Sequence, residues 1–426
     1  MQIQRSRAPS TVGAMLRGDV ATLFVRWRAA SAVFHRGYWL VASLYLVRDA
    51  HLSAFQLLMI GTAQGVVSLV FEVPAGVMAD TISRKLSLVV GQLLMGTAIV
   101  ITGTVTSFAA LVSTQMLWGI AWTFVSGADV ARATDELDDP ALIDRALTAS
   151  ARFAAGGSAL GLIFFGGLAW LTSLGTSILC SGLGLLVLTI VVTARLPEHN
   201  FVATKTHRVA ESFSTLRRGV ELARNDRQIV VVFAATFLLN GAAEAFGRLY
   251  AKRLFTIGFP VRPDPIVWYT ALGLAMLLAG AAALRTVEQR IDGAGSVRVS
   301  YAVAALIGAV GVALLALAPD ASAASIGALL MGGVALTVTR AVATVWVNRQ
   351  TTNDVRATVH SLLAQAEYFG EIIIGLSIAL IARAATVPIA LVVSVVLLVV
   401  TALVALSSTE GRLSGAVGNG VKGPGG

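Results

Sequence analysis

Residues 71–85 read Phe71-Glu72-Val73-Pro74-Ala75-Gly76-Val77-Met78-Ala79-Asp80-Thr81-Ile82-Ser83-Arg84-Lys85. The stretch closes an apolar run that begins near residue 55. Pro74 and Gly76 punctuate it, and Asp80, Arg84 and Lys85 then restore charge. A run of that length suits a hydrocarbon core of ~30 Å, which takes ~20 apolar residues per helix. Working outward, the same alternation of apolar runs and charged or Pro/Gly breaks predicts spans near 29–47, 55–79, 86–106, 108–131, 148–170, 174–194, 229–251, 266–284, 299–318, 323–346, 357–382 and 386–408.

Composition agrees. The chain has 426 residues, 56% hydrophobic and 13% charged, with a mean hydropathy of +0.79. Soluble domains carry about 25% charged residues, so a soluble enzyme is excluded. The expected fold class is an all-α integral membrane protein of 12 transmembrane helices in two pseudo-symmetric six-helix bundles. Residues 1–24 form a cytoplasmic N-terminal segment, 25–194 the first bundle, 195–228 a linker, 229–408 the second bundle and 409–426 a disordered tail. The single Cys180 permits no intramolecular disulfide and reads as a packing residue. Residues 1–19 lack the apolar core of a secretory signal, so the first span is expected to anchor the chain.

Sidedness follows from the basic residues. With both termini cytoplasmic, Arg48, Lys252, Arg253, Arg262 and Arg383 lie outside and Arg36, Arg152, Arg248 and Arg340 within spans, while the others of the 32 Lys and Arg fall inside. The +9 net charge then faces anionic lipid, and no basic domain supports a nucleic-acid partner. In the linker, Val209, Phe213, Leu216 and Val220 recur at helical spacing among Arg208, Arg217, Arg218 and Arg224, which predicts a helix on the membrane surface or a solvated linker helix.

A charge at mid-membrane costs ~2.5–3.5 kcal/mol or more, so charged spans should line a wet cavity. The third, sixth, ninth and twelfth spans carry none, and the eighth breaks the pattern by being bare until Arg285 at its end. A charge-free helix at every third position is what nested three-helix repeats give when the third helix faces lipid, and it predicts a polar central pathway with alternating access.

The stretch 71–85 also resembles the loop 2–3 signature of the major facilitator superfamily, Gly-x-x-x-Asp-Arg-x-Gly-Arg-Arg/Lys, with Thr81 and Ser83 in place of the usual Arg and Gly. Residues 126–137, Leu196-Pro197-Glu198 and residues 355–359 are similar to bacterial members of its drug-efflux-like branch. The resemblance implies a gating motif of Gly76, Asp80, Arg84, Lys85, Asp129 and Asp135. In it Gly76 permits close helix approach, Asp80 caps a neighbouring helix and Arg84 latches to Asp135.

Within the spans, Glu367 and Glu371 share a helix face at ~15 and ~21 Å from the span start. A carboxylate at that depth can load and release a proton as access alternates, and Glu371 is the first candidate for coupling. Glu244 lies at similar depth with Arg248 one turn on, which suggests a static ion pair. Arg36 beside Trp39 can hold an anionic or planar ligand, or pair with Asp129 or Glu72. His35 is a titratable or packing residue. Trp122 and Trp346 are cavity or interface aromatics, with Trp346 placed at the interface, and Arg248 and Arg340 complete the candidate substrate set. In the fifth span Gly156, Gly157 and Gly161 allow close packing, but the Pro that many antiporters of the superfamily carry there is missing.

The expected activity is proton-coupled efflux of a small amphipathic molecule across a bacterial inner membrane by a monomer, without cofactor or metal. The alternatives are an importer or uniporter of an organic anion, a membrane sensor, or a prenyltransferase-like enzyme using Asp135, Glu136, Asp138 and Asp139. The last lacks a second Asp-rich loop, and the absence of a P-loop disfavours direct ATP-driven pumping.

Overall fold

A computed structural model describes residues 11–137, 139–203, 227–260, 262–291, 294–350 and 353–407; the expected linker helix over 208–224, Asp138 and the tail 409–426 lie outside them. The described residues form α1 (Thr11–Arg48), α2 (Ala54–Thr81), α3 (Arg84–Thr102), α4 (Phe108–Val125), α5 (Ala128–Leu137), α6 (Pro140–Leu171), α7 (Leu174–Arg195), α8 (Arg227–Ile257), α9 (Pro265–Glu288), α10 (Ala294–Leu317), α11 (Ala321–Ala328), a π-helical stretch (Leu329–Ala335), α12 (Leu336–Gln350), α13 (Asn353–Ala384) and α14 (Val387–Leu406). Among the described residues eleven units are long and apolar enough to cross a membrane, counting α4 with α5 and α11 with α12 as one each. The exception is α1, whose apolar run is broken by His35 and Arg36. It also begins at Thr11 rather than near residue 29.

Short polar residues set the helix starts. Ser53, Ser83, Ser107 and Ser173 each accept a hydrogen bond from a first-turn amide of α2, α3, α4 and α7, and Asp139, Asp264 and Asp320 do the same for α6, α9 and α11. Such caps satisfy amides that a helix leaves unpaired. Ser53 and Gln56 cap reciprocally at 3.2 and 2.9 Å. Between α4 and α5 the break falls at Gly127, whose φ of +81° favours a residue without Cβ. The separation of α6 from α7 at residues 171–173 falls where the sequence places it.

In the first half α1 packs on α6 and α7, α2 on α4, and α3 on α4 and α7. In the second, α8 packs on α13 and α14, and α10 on α14. The halves meet through α2 with α13, α6 with α9 and α2 with α8. A Cβ at Gly157 or Gly161 would strike the carbonyl oxygens of Ala29 and Val33, so these glycines let α6 lie directly on the α1 backbone. Gly76, expected to serve a close helix approach, does not: a Cβ there would meet nothing within 4 Å. The correction has a simple cause, since Gly76 lies on a face of α2 with no neighbour close enough to require it.

Gly161→Ala should therefore lower the melting temperature of the purified protein by an amount equivalent to about 1–3 kcal/mol of overpacking. Gly76→Ala should stay within about 0.5 kcal/mol of the parent. Equal melting shifts for the two variants would refute this assignment.

Candidate functional site

The two halves enclose a cavity of about 620 Å³. Its lining comes from α1, α2, α4, α6, α8, α9, α12 and α13, and not from α3, α7, α10 or α14. Those four carry no charge in their apolar runs; α9, bare until Arg285, is the charge-free helix that nevertheless lines the cavity.

Of the residues the sequence singles out, Arg36, Trp39, Trp122, Glu244, Arg248, Arg340, Glu367 and Glu371 all line this space. On the first-half side stands an aromatic wall. Trp118 and Trp122 stack with ring centroids 5.7 Å apart and planes 6° apart, and Trp39 meets Trp118 edge-on at 5.0 Å. The second half contributes most of the acid. Glu244 Oε1 accepts from Arg248 Nε at 2.7 Å, and Arg248 Nη2 donates to Gln64 Oε1 of α2 at 2.9 Å. The Arg248 guanidinium also sits 5.7 Å from the Trp39 ring centroid. The cation beside Trp39 is thus Arg248 rather than its sequence neighbour Arg36. One helical turn carries a side chain partly round the axis, whereas α8 brings Arg248 across from the opposite wall.

Among the described residues, no ion pair includes Arg36, Arg340, Glu72, Glu367 or Glu371. Arg36 therefore pairs with neither Asp129 nor Glu72. Asp129 is buried and accepts instead from Arg28 Nη1 at 2.6 Å. Glu72 faces the cavity with one buried oxygen lacking a hydrogen-bond partner, and the Tyr368 hydroxyl lies within reach of its carboxylate. His35 stands behind the wall, with Nε2 against Met95 Sδ and its ring 6.1 Å from Trp118. Trp346 is not an interfacial aromatic: it is 2% exposed and packs on Tyr301 with centroids 5.6 Å apart. Its short offset from the end of α12 misleads, because α10 covers that end.

The charged cluster of the 71–85 stretch is assembled away from the cavity. Arg84 Nη1 donates to Asp135 and to the Ala131 carbonyl, and Arg84 also lies 3.5 Å from Asp80. Ser83 has extended backbone, so no glycine is required there. Its hydroxyl donates to Glu198 at 2.5 Å, and Glu198 also accepts from the Lys85 amide at 2.8 Å, capping α3. Arg132 donates to the Pro197 carbonyl at 2.6 Å, and Glu136 accepts from the His199 and Asn200 amides at 2.6 and 3.0 Å. At the far end of the helices, contacts join the two halves. Arg48 lies 3.6 Å from Asp264, Lys252 donates to the Leu52 carbonyl at 2.7 Å, and Arg383 sits over the Phe55 ring.

The sequence reading missed Trp118, Gln64, Tyr250 and Tyr368 of the lining. Trp118 precedes Trp122 by one turn, a spacing that places both on one face. Arg28, Arg132, Glu136 and Glu198 were missed as partners because their contacts span many residues of sequence.

A membrane-embedded helical protein with one polar, aromatic-walled cavity between two halves belongs to the class of transporters. The sequence matches the Major Facilitator Superfamily over residues 28–375, and the chain belongs to that family. The fold is similar to that of the nucleoside transporter NupG, with a TM-score of 0.73, 12% identity and 91% of this chain covering 98% of that one. It is also similar to a POT family transporter in complex with a thioalcohol-conjugated peptide, at 0.72, 11%, 91% and 95%. A bacterial homologue of the human lysosomal transporter Spinster, in an inward-facing and unoccupied conformation, gives 0.69, 13%, 91% and 96%. No curated protein sequence matches this chain.

The Glu244–Arg248 pair within α8 is testable by its energetics. Arg248→Met leaves Glu244 unpaired in a site where the two side chains are only 10% and 16% exposed, and should destabilise the protein by about 3–5 kcal/mol. Glu244→Gln/Arg248→Met should recover most of that loss in the same thermal unfolding assay. A double variant as unstable as the two single losses added together would refute the coupling.

Proposed function

We propose that this chain is a twelve-span secondary carrier of two six-helix bundles that exports a small amphipathic molecule in exchange for protons by alternating access. It acts as a monomer in a bacterial inner membrane, with both termini cytoplasmic. Residues 25–194 and 229–408 are the bundles, and 195–228 joins them. The observation that carries this reading is the cavity itself. Eight helices enclose it, α3, α7, α10 and α14 stand apart, and it holds carboxylates with no ion-pair partner among the described residues. Glu371 and Glu367 take the coupling proton, while Glu244 is held by Arg248. The tryptophan wall takes the apolar part of the cargo. Asp80, Arg84 and Asp135, joined in the same state in which Arg48, Lys252 and Arg383 tie the halves together, brace the first half as it moves rather than latching one state. The branch-level resemblance supports export. A second reading, uptake of an organic anion, draws on Arg36 and Arg340, two cavity cations without ion pairs.

Expression in an efflux-deficient bacterium against a panel of toxic compounds should give resistance that a protonophore abolishes; accumulation of an anion instead would support the second reading. In proteoliposomes, Glu371→Gln should reduce substrate-driven proton flux to the level of protein-free vesicles, and an unchanged flux would sink the coupling role. Asp80→Asn should lower the melting temperature and leave the labelling of cysteine probes at the two ends of the cavity as in the parent, and shifted labelling at an unchanged melting temperature would refute the brace.

A further inference from the structure

Apart from the transport cavity, the surface carries a second concavity of about 390 Å³ between α1 and α6, which shares no lining residue with the first. Its floor is small: Ala29 and Ala30 of α1, and Gly156, where a Cβ would meet nothing within 4 Å. Its rims are Phe153 and Leu160, 57% and 63% exposed. One end is closed by Arg152, exposed and without an ion pair among the described residues.

Position along α6 gives the groove a direction. At 1.5 Å per residue, Arg152 lies ~28 Å from the helix end at Leu171, so it reaches the opposite boundary of a ~30 Å hydrocarbon core. Leu160 lies ~12 Å deeper than Arg152. A cation at headgroup level thus opens onto an apolar trough that descends into the core. An arginine suits phosphate through its planar donors, and a trough without polar side chains suits an acyl chain. The trough does not suit a water-soluble anion, which has no apolar part to place.

We propose that this groove is a binding site for one anionic phospholipid of the leaflet at the Arg152 end, with its phosphate on Arg152 and an acyl chain along Phe153, Gly156 and Leu160. The basic face of the chain concentrates anionic lipid in the same leaflet.

Native mass spectrometry of the purified full chain, titrated with phosphatidylglycerol or with phosphatidylcholine of the same acyl chains, reads the site directly. The parent should retain one phosphatidylglycerol molecule about fivefold more tightly than phosphatidylcholine, the contribution of one basic residue near an anionic headgroup. Arg152→Gln should remove that preference and Arg152→Lys should keep most of it. Gly156→Leu, which fills the trough and leaves the cation, should weaken the retained lipid by a similar factor. A parent with no preference, or a preference unchanged in both Arg152→Gln and Gly156→Leu, overturns the proposal. Retention of inorganic phosphate competing equally with the lipid would show a simple anion site and overturn it as well.

Discussion

The cost of an ionised side chain in hydrocarbon governs this structure. Each such group surrounded by lipid is unfavourable by ~2.5–3.5 kcal/mol or more, so it must be paired, hydrated or brought to a headgroup. All three solutions occur. Glu244 and Arg248 pair, as do Arg28 and Asp129. Arg36, Arg340, Glu72, Glu367 and Glu371 gather round one cavity. Arg152 is exposed on α6, at headgroup level in the proposed lipid site. The helices left over, α3, α7, α10 and α14, carry charge only near their ends, so nothing prevents them from facing lipid.

Packing and electrostatics are linked at α2. A Cβ at Gly61 would collide with Glu244 Oε1, and one at Gly65 would approach Ile372 at 3.1 Å and Glu371 Oε2 at 4.0 Å. The first half therefore offers a glycine-faced helix to the acid-bearing helices α8 and α13 of the second. Gln64, between those glycines, supplies the hydrogen bond to Arg248. An alanine at position 61 would add only a methyl group, yet it would displace the carboxylate that neutralises Arg248. Close approach and charge compensation are thus one constraint, carried by residues 61–65.

Much of this was legible in the sequence because the bilayer imposes a single length and a single polarity on each helix. Run lengths located most helix ends to within a few residues, apart from the early starts of α1 and α6 and the late end of α8. The absence of charge from every third span marked four helices that do not line the cavity, while the equally bare eighth span does line it through Gly273 and Met276. The sites were legible only as a set. Which cation faces Trp39, which acid meets Arg36 and which partner holds Asp129 depend on contacts between helices far apart in sequence. Periodicity within one helix carries no information on these. Gly76 shows the opposite failure: a motif glycine suggested a contact, but a neighbouring backbone makes a glycine necessary, and none approaches there. Trp118 was legible in principle through its one-turn offset from Trp122.

The two ends of the helices are held by different kinds of contact, and the difference has a mechanical consequence. At the end carrying residues 49–53, the bonds join one half to the other: Arg48 to Asp264, Lys252 to the Leu52 carbonyl, and Arg383 to the Phe55 ring. At the end carrying residues 80–85, Arg84, Asp135, Glu136, Arg132 and Glu198 form a network that joins α3, α5 and the segment after α7. Every member of that network lies in the first half or at the start of the linker that follows it, so it stiffens one body without tying it to the second half. A rotation of one half against the other would break the first set of contacts and leave the second intact. The charged pairs of the first set are individually weak where they are solvated, worth about 0–1 kcal/mol each. A first half stiffened at one end and joined to the second by separable ties at the other is the arrangement that the proposed alternating access requires.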